Sequence, residues 1–243
     1  MELSKRLLAV AGLVTEGGSV ADIGTDHGYV PIYLVRRGIA EKAIALDINK
    51  GPLARAKAHI AACGLAEQIE VRLSDGLLEV RPGEVDVVIA AGMGGGLAIR
   101  ILEEGKAVVS SLKYCILQPQ SEIGRVRRYL DENGFRIVEE EMVEEGGKFY
   151  PMMKAVYAEP GEGYEEYEYQ YGKRLLERRH PILREFLLRE QRIQEQIRAR
   201  LARQEDSESA RRRMQALEEE IKYTEKALSH FAVPYMETDG RKE

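Results

Sequence analysis

Short apolar runs alternate with helix-period segments along the first two thirds of the chain, and only the helical period continues after about position 160. Leu3, Leu7, Leu8, Ala11 and Val14 fall on one helical face, and Glu16-Gly-Gly-Ser19 ends that pattern, which predicts an N-terminal lid or docking helix. Apolar runs near 19–23, 42–47, 69–73, 85–90 and 112–118 read as strands, and the segments 29–37, 50–63, 95–104 and 122–133 read as helices between them. A last pair, from Phe135 onward and from Lys148 to Tyr157, reads as two strands joined through Glu144-Glu-Gly-Gly147, a hairpin signal. Strand and helix in alternation predict an α/β fold: a doubly wound parallel sheet covered on both faces, with an antiparallel edge. Ligands of such sheets bind at the carboxyl ends of the strands.

From Pro160-Gly-Glu-Gly163 glycine and β-branched residues thin out, so the chain divides into an expected catalytic domain, 1–160, and a helical segment, 161–243. Leu175, Leu176, Leu183, Phe186, Leu187, Ile193, Ile197 and Leu201 repeat at helical spacing. Gln204-Glu-Asp-Ser-Glu-Ser209 interrupts them, and Met214, Leu217, Ile221 and Leu228 resume the seam. Two long helices in a coiled-coil hairpin are expected. Their cations, Arg178, Arg179, Arg184, Arg189, Arg192, Arg198, Arg200, Arg203 and Arg211 to Arg213, suit either phosphate binding or a solvated helical face.

Charge sharpens this division. The net charge is -5, so no global basic field points to nucleic acid. Glu139 to Glu168 holds 10 acidic residues against Lys148 and Lys154, whereas Lys173 to Arg213 holds 13 basic against 7 acidic. The only cysteines, Cys63 and Cys115, show no metal-ligand spacing and no pairing logic, which suits a reducing compartment. No segment approaches the roughly 20 apolar residues of a membrane span, and Met1 to Leu8 has no long apolar stretch of a secretion signal. A cytoplasmic protein that binds neither metal nor membrane is expected.

The chemistry is concentrated at strand ends. Ala21-Asp-Ile-Gly-Thr-Asp-His-Gly28 places a glycine turn where a buried strand feeds a helix. Asp47 closes the second strand, where a carboxylate can accept from both hydroxyls of a ribose. Asp75-Gly76 ends the third, where a carboxylate can accept from an adenine amino group. A dinucleotide turn needs the spacing G-x-G-x-x-G with bare backbone N–H groups for a pyrophosphate. This turn lacks that spacing, and Asp26 would repel the phosphates. S-adenosylmethionine has no phosphate and carries a sulfonium and an ammonium, so acidic neighbours suit it. A second glycine-rich loop, Gly92-Met-Gly-Gly-Gly96, follows the fourth strand, where the methyl group and its acceptor should meet.

Asp22-Ile-Gly-Thr-Asp-His-Gly28, Ala45-Leu-Asp-Ile-Asn49, Ser74-Asp-Gly76, Ala91-Gly-Met-Gly-Gly95 and Leu117-Gln-Pro-Gln120, followed by the arginine-rich hairpin, resemble the bacterial tRNA (adenine-22-N1)-methyltransferases over almost the whole chain. The resemblance implies methyl transfer from S-adenosylmethionine to N1 of an adenosine in the D-loop of tRNA. It implies that Asp22, Gly24, His27 and Gly28 surround the methionine part of the cofactor and that Asp47 holds its ribose. Ile48 and Asn49 would flank adenine, Asp75 and Gly76 its amino edge, and Gly92 the sulfonium. Asp26, Met93 and Gly94 are the candidates at the reacting base, with Asp26 alternatively a turn-former bonded to local backbone. Tyr29 and Tyr150 are candidate stacking partners for a flipped adenine, or packing residues. Gln118 is a candidate contact to the base edge, or a structural amide. Arg178, Arg179, Arg184 and Arg189 are the candidate tRNA contacts of the hairpin. DNA is not an expected partner, and a monomer or weak dimer is expected. The rival readings are an NAD-dependent oxidoreductase, a non-catalytic RNA-binding protein, and a methyltransferase with a protein or small-molecule acceptor.

Overall fold

The computed structural model describes residues 3–15, 17–157, 163–204 and 208–232. The chain divides into two compact units, Met1–Tyr164 and Glu165–Glu243. The first contains, in chain order, α1 (Lys5–Gly12), β1 (Ser19–Ile23), α2 (Tyr29–Arg36), β2 (Lys42–Asp47), α3 (Lys50–Ala62), β3 (Ile69–Leu73), β4 (Val87–Met93), α4 (Gly95–Glu104), α5 (Lys106–Val109), β5 (Tyr114–Pro119), α6 (Ile123–Glu132), β6 (Phe135–Glu145) and β7 (Lys148–Tyr157). One seven-stranded sheet runs β3-β2-β1-β4-β5-β7-β6. β1 to β5 are parallel, and β7 pairs antiparallel with both β5 and β6. Successive strands step outward from β1 to β3, and the chain then returns to the other side of β1 with β4. That reversal opens a crevice at the carboxyl ends of β1 and β4, the position at which doubly wound sheets bind ligands.

Alternation along each strand supplies one core per face. Ala21, Ile23, Ile44, Leu46, Val88, Ala90, Cys115 and Leu117 pack with Ile99, Leu102, Val126 and Leu130 on the face covered by α4 and α6. Val20, Val87, Ile89 and Ile116 pack with Val10, Ala11, Val30 and Leu34 on the face covered by α1 and α2. The N-terminal helix is therefore part of the core, which corrects the expectation of a lid. Val10 and Ala11 are fully buried, and Leu13 and Val14 continue their seam, whereas Leu8, expected on the buried face, is 46% exposed.

Two strand boundaries also shift. β4 begins at Val87, two residues later than its apolar run, and extends through Gly92 to Met93. Gly92, at φ +84°, lies where the register with β5 shifts between Ala91 and Met93, so pairing resumes at Met93 with Pro119. A glycine that ends an apolar run on paper here takes the left-handed geometry of a bulge. β5 begins at Tyr114, two residues later than its apolar run, and the N–H of Lys113 donates to the Asp86 carbonyl just ahead of it. The β6–β7 hairpin turns at Gly146 and Gly147, φ +61° and +78°, as two-residue hairpins require.

The second unit contains α7 (Glu166–Tyr171), α8 (Lys173–Glu177), α9 (Pro181–Leu201), a 3-10 turn (Ala202–Gln204) and α10 (Glu208–Ser229). Its long pair, α9 and α10, forms the expected hairpin, and Gln194 Nε2 of α9 donates to Thr224 Oγ1 of α10 at 2.9 Å. The two short helices ahead of it are an addition. Gly172 at φ +95° separates them, and Pro181 at the first position of α9 restarts the helix. Tyr167, Tyr169 and Tyr171 of α7 are buried, although Glu168 and Gln170 stand between them. Residues 160–162 of the expected junction and 205–207 of the expected interruption lie outside the described residues. Among the described residues no helix is long and apolar enough to cross a membrane.

Candidate active site

Asp22 pairs in register with Ala45, two residues before Asp47. Both carboxylates therefore leave the same sheet face, one step apart at the carboxyl ends of adjacent strands. Both are buried. Burial pushes the Asp22 carboxyl up to about 7, and the Asp47 charge acts in the same direction. Asp47 Oδ1 accepts from the Asn49 N–H at 2.8 Å. The turn after β1 is tied to β2 by the N–H groups of Gly24 and Thr25, which both donate to the Leu46 carbonyl at 2.9 Å. Gly28, at φ +72°, opens α2, and a Cβ there would meet the Ala56 Cβ at 3.3 Å, so this glycine lets α3 pack close.

Beyond Asp47 the wall becomes apolar. Ile48 is 57% exposed, and Asn49 precedes the first turn of α3. Across β3, Asp75 is held by Arg100 of α4 through two nitrogens, at 2.9 and 3.2 Å. Gly76 stands at φ +59°, and a Cβ on it would lie 2.9 Å from Ile101. Its left-handed backbone and its packing against α4 both require glycine.

At the end of β4 the glycines divide by what approaches them. A Cβ on Gly95 would sit 2.5 Å from the Ser121 carbonyl oxygen, and one on Gly94 3.3 Å from Ser121 Oγ. Gly94, Gly95 and Gly96 thus admit the loop after β5, whose Glu122 accepts from the Gly96 N–H at 3.1 Å. Gly92 instead faces Arg6: a Cβ there would lie 3.3 Å from Arg6 Nη1. Met93 brings its terminal methyl within 3.9 Å of the equivalent position on Gly24, joining the two glycine loops. Gln118, two residues beyond the Ile116 partner of Ile89, shares the sheet face of Asp22. It is fully buried, its Oε1 accepts from Arg6 Nη1 at 2.8 Å, and its Nε2 donates to the Pro119 carbonyl at 3.2 Å. The Arg6 guanidinium also lies over the Tyr150 ring, 5.7 Å from its centre.

The middle of the first glycine turn faces outward. Asp26 adopts φ +49°, a strained conformation for a residue with a side chain, and its carboxylate is 61% exposed. Arg55 Nη2 donates to it at 2.9 Å, and His27 Nε2 lies 3.5 Å away. The rings of His27, Tyr29 and His59 lie nearly parallel, with centres 5.1 to 5.6 Å apart. His59 Nδ1 is 3.1 Å from the His27 carbonyl oxygen, whereas His27 Nδ1 is buried without a partner among the described residues.

In the second unit Arg184 and Arg189 are exposed on α9, while Arg178 and Arg179 occupy the turn before it, the latter at φ +49°. The structure adds Arg6, Arg55, Arg100 and His59 to the residues singled out in the sequence. Only Arg6 occurs in a segment already given a role, and there only the apolar positions carried a signal.

The crevice thus offers buried carboxylates where a cationic group and a ribose would lie, an exposed isoleucine beside them, and an orphaned imidazole nitrogen. A phosphate would meet Asp22, Asp26 and Asp47 and is disfavoured. A nucleoside with a cationic, phosphate-free tail fits. Residues 3–153 match the family model described as a methyltransferase domain. The tRNA (adenine(22)-N(1))-methyltransferase of Bacillus subtilis is 40% identical over 155 residues, 64% of this chain and 65% of that protein's length. The solved structure of B. subtilis TrmK is 30% identical, with a TM-score of 0.81 over 93% of this chain and 99% of that one. A Streptococcus pneumoniae homologue solved with S-adenosyl-L-methionine is 33% identical, with a TM-score of 0.82 over 93% of this chain and all of that one. Mycoplasma capricolum TrmK, solved with S-adenosyl-homocysteine, is 25% identical, with a TM-score of 0.81 over 95% and 99% of the two chains. With the methyltransferase model matched over residues 3–153 and the TrmK structure matched over 93% of the chain at 30% identity, the chain belongs to the bacterial tRNA (adenine-22-N1)-methyltransferase family.

Proposed function

We propose that this protein uses S-adenosylmethionine to methylate N1 of an adenosine in tRNA, at position 22 as in its B. subtilis relative. The observation that carries this reading is the likeness to TrmK over 93% of the chain, which includes the C-terminal helices as well as the catalytic unit. The cytoplasm, where tRNA is modified, is the site of the reaction.

S-Adenosylmethionine supplies an electrophilic methyl group. The ribose hydroxyls donate to Asp47, whose Oδ1 is oriented by the Asn49 N–H. Ile48 covers one face of the cofactor adenine, and Asp75, set by Arg100, accepts from its amino group. Asp22 faces the cationic end. Adenine N1 is unprotonated at neutral pH and attacks an aligned methyl directly, so positioning beside Gly92 and Met93 supplies most of the acceleration. The new N–C bond forms as the S–C bond breaks, and the positive charge passes from sulfur to the base. The Asp26 carboxylate, held by Arg55, stabilises that charge or takes the proton that leaves N6.

Two variants separate these roles. Asp47→Ala removes charge-assisted hydrogen bonds of about 1.5–3 kcal/mol each and should weaken cofactor binding by roughly 100-fold in calorimetric titration. Asp26→Ala should leave that affinity within about twofold and slow single-turnover transfer by roughly 10²-fold or more. Equal loss of cofactor affinity in both variants would remove Asp26 from the reacting base. Charge reversal at exposed Arg184, Arg192, Arg198 and Arg200 should reduce tRNA affinity and flatten its salt dependence while sparing cofactor affinity. Unchanged tRNA binding would assign these arginines to a solvated face.

A further inference from the structure

We propose that Arg6 anchors a backbone phosphate of the acceptor strand at the reacting edge. The inference rests on the tRNA methyltransferase reading above and adds a binding residue to it. α1 carries Arg6 on a fixed base: Val10 and Ala11 are fully buried, and the backbone N–H of Lys5 donates to Glu145 Oε1 of β6 at 2.6 Å. The guanidinium reaches the carboxyl ends of β4 and β5, next to Gly92, with Nη1 donating to Gln118. Gln118 is itself fixed, because its amide nitrogen donates to the Pro119 carbonyl.

Arg55 and Arg100 near the same edge are each neutralised by a carboxylate, Asp26 and Asp75. Arg6 has no carboxylate partner among the described residues, and its one hydrogen bond there uses one of five N–H donors. A half-buried cation with four free donors is a site for an oxyanion, and the planar fork of arginine fits phosphate oxygens in pairs. The base itself is the wrong ligand, because methylation at N1 makes it cationic. Two oxyanions could reach the edge, a phosphodiester of the acceptor and the methionine carboxylate of the cofactor. The contacts of Arg6 lie on β5 and β7 and at Gly92 near the end of β4, whereas Asp22 and Asp47 lie on β1 and β2, on the other side of β4 in the strand order. The acceptor side of the crevice is therefore its side, and the phosphate is its ligand.

The test compares wild type, Arg6→Gln and Arg6→Lys for cofactor affinity, tRNA affinity as a function of salt, and transfer. Glutamine keeps a donor towards Gln118 and removes the charge. Arg6→Gln should bind tRNA roughly 10- to 100-fold more weakly, with the slope of log affinity against log salt smaller by about one, and should bind S-adenosylmethionine as wild type does. Arg6→Lys should keep the salt slope and recover part of the affinity, since the point charge remains and the fork is lost. Loss of cofactor affinity with an unchanged salt slope would overturn the proposal and assign Arg6 to the methionine carboxylate. Unchanged tRNA affinity in a folded Arg6→Gln protein would also overturn it, and if that variant fails to fold, a salt slope for Arg6→Lys as flat as that expected of a neutral residue would do the same. Wild-type protein that leaves tRNA unmethylated would instead strike the proposed function.

Discussion

Asp22→Asn should change the pH dependence of both cofactor binding and stability, in opposite directions. The carboxyl is raised from 3.8 to about 7 by burial, so below pH 7 the free protein holds it neutral. A sulfonium or ammonium beside it favours the ionised form, and binding then releases a proton. Affinity for S-adenosylmethionine should rise by up to about tenfold per pH unit from pH 5.5 towards 7 and level off above, a slope that Asp22→Asn removes while lowering the plateau. Stability follows the other sign. Between the unfolded value of 3.8 and the folded value of about 7 the native state holds the proton that the unfolded chain has lost, so the contribution of Asp22 falls as pH rises through that window. Three pKa units correspond to at most about 4 kcal/mol. Without cofactor, Asp22→Asn should therefore melt above wild type at pH 8, and the gap should narrow steadily towards pH 4, near the unfolded value of 3.8. Parallel curves for the two proteins, in binding and in melting, would show that Asp22 does not titrate in this range.

Arg127→Ala should cause the largest loss of stability. Arg127 Nε of α6 donates to Glu140 Oε1 of β6 at 2.7 Å, and the two side chains are 1% and 0% exposed. Removing the cation from a buried pair costs about 3–5 kcal/mol, roughly 6–20 °C in melting temperature for a domain of this size. Replacing both residues with apolar side chains of similar volume should recover most of that loss, because the desolvated carboxylate goes as well. Thermal unfolding followed by circular dichroism reads both variants. A single-variant loss below about 1 kcal/mol would contradict a dry ion pair here.

The parts of the fold that read correctly from sequence are those whose signals are local. β1, β2 and β3 are apolar runs bounded by turn residues, and Gly146-Gly147 has the chemistry of a two-residue hairpin. Glycine roles that depend on distant chain did not read. The loop at Gly94 to Gly96 invited a substrate-approach explanation, whereas Gly95 is required by the Ser121 carbonyl, 26 residues away in the chain. The strand-end positions of Asp22, Asp47 and Gln118 were legible, since apolar runs that end in a carboxylate or an amide are visible in the sequence. Their partners were not. Arg6 reaches Gln118 across 112 residues, Arg100 reaches Asp75 across 25 and Arg55 reaches Asp26 across 29, and nothing in a single sequence tells which arginine of 36 basic residues meets which acid. Asp26 shows the limit most clearly: the turn was legible, and its left-handed backbone and Arg55 ion pair required the structure.

The most direct measurement is incubation of purified protein with isotopically labelled S-adenosylmethionine and an unmodified tRNA transcript carrying adenosine at position 22, followed by nuclease digestion and nucleoside mass analysis. Labelled 1-methyladenosine in that transcript, and none when position 22 is guanosine, is the result expected of N1 methylation at that site. Label on N6, on a ribose or at another position, or unlabelled tRNA from protein shown to bind the cofactor, would contradict it.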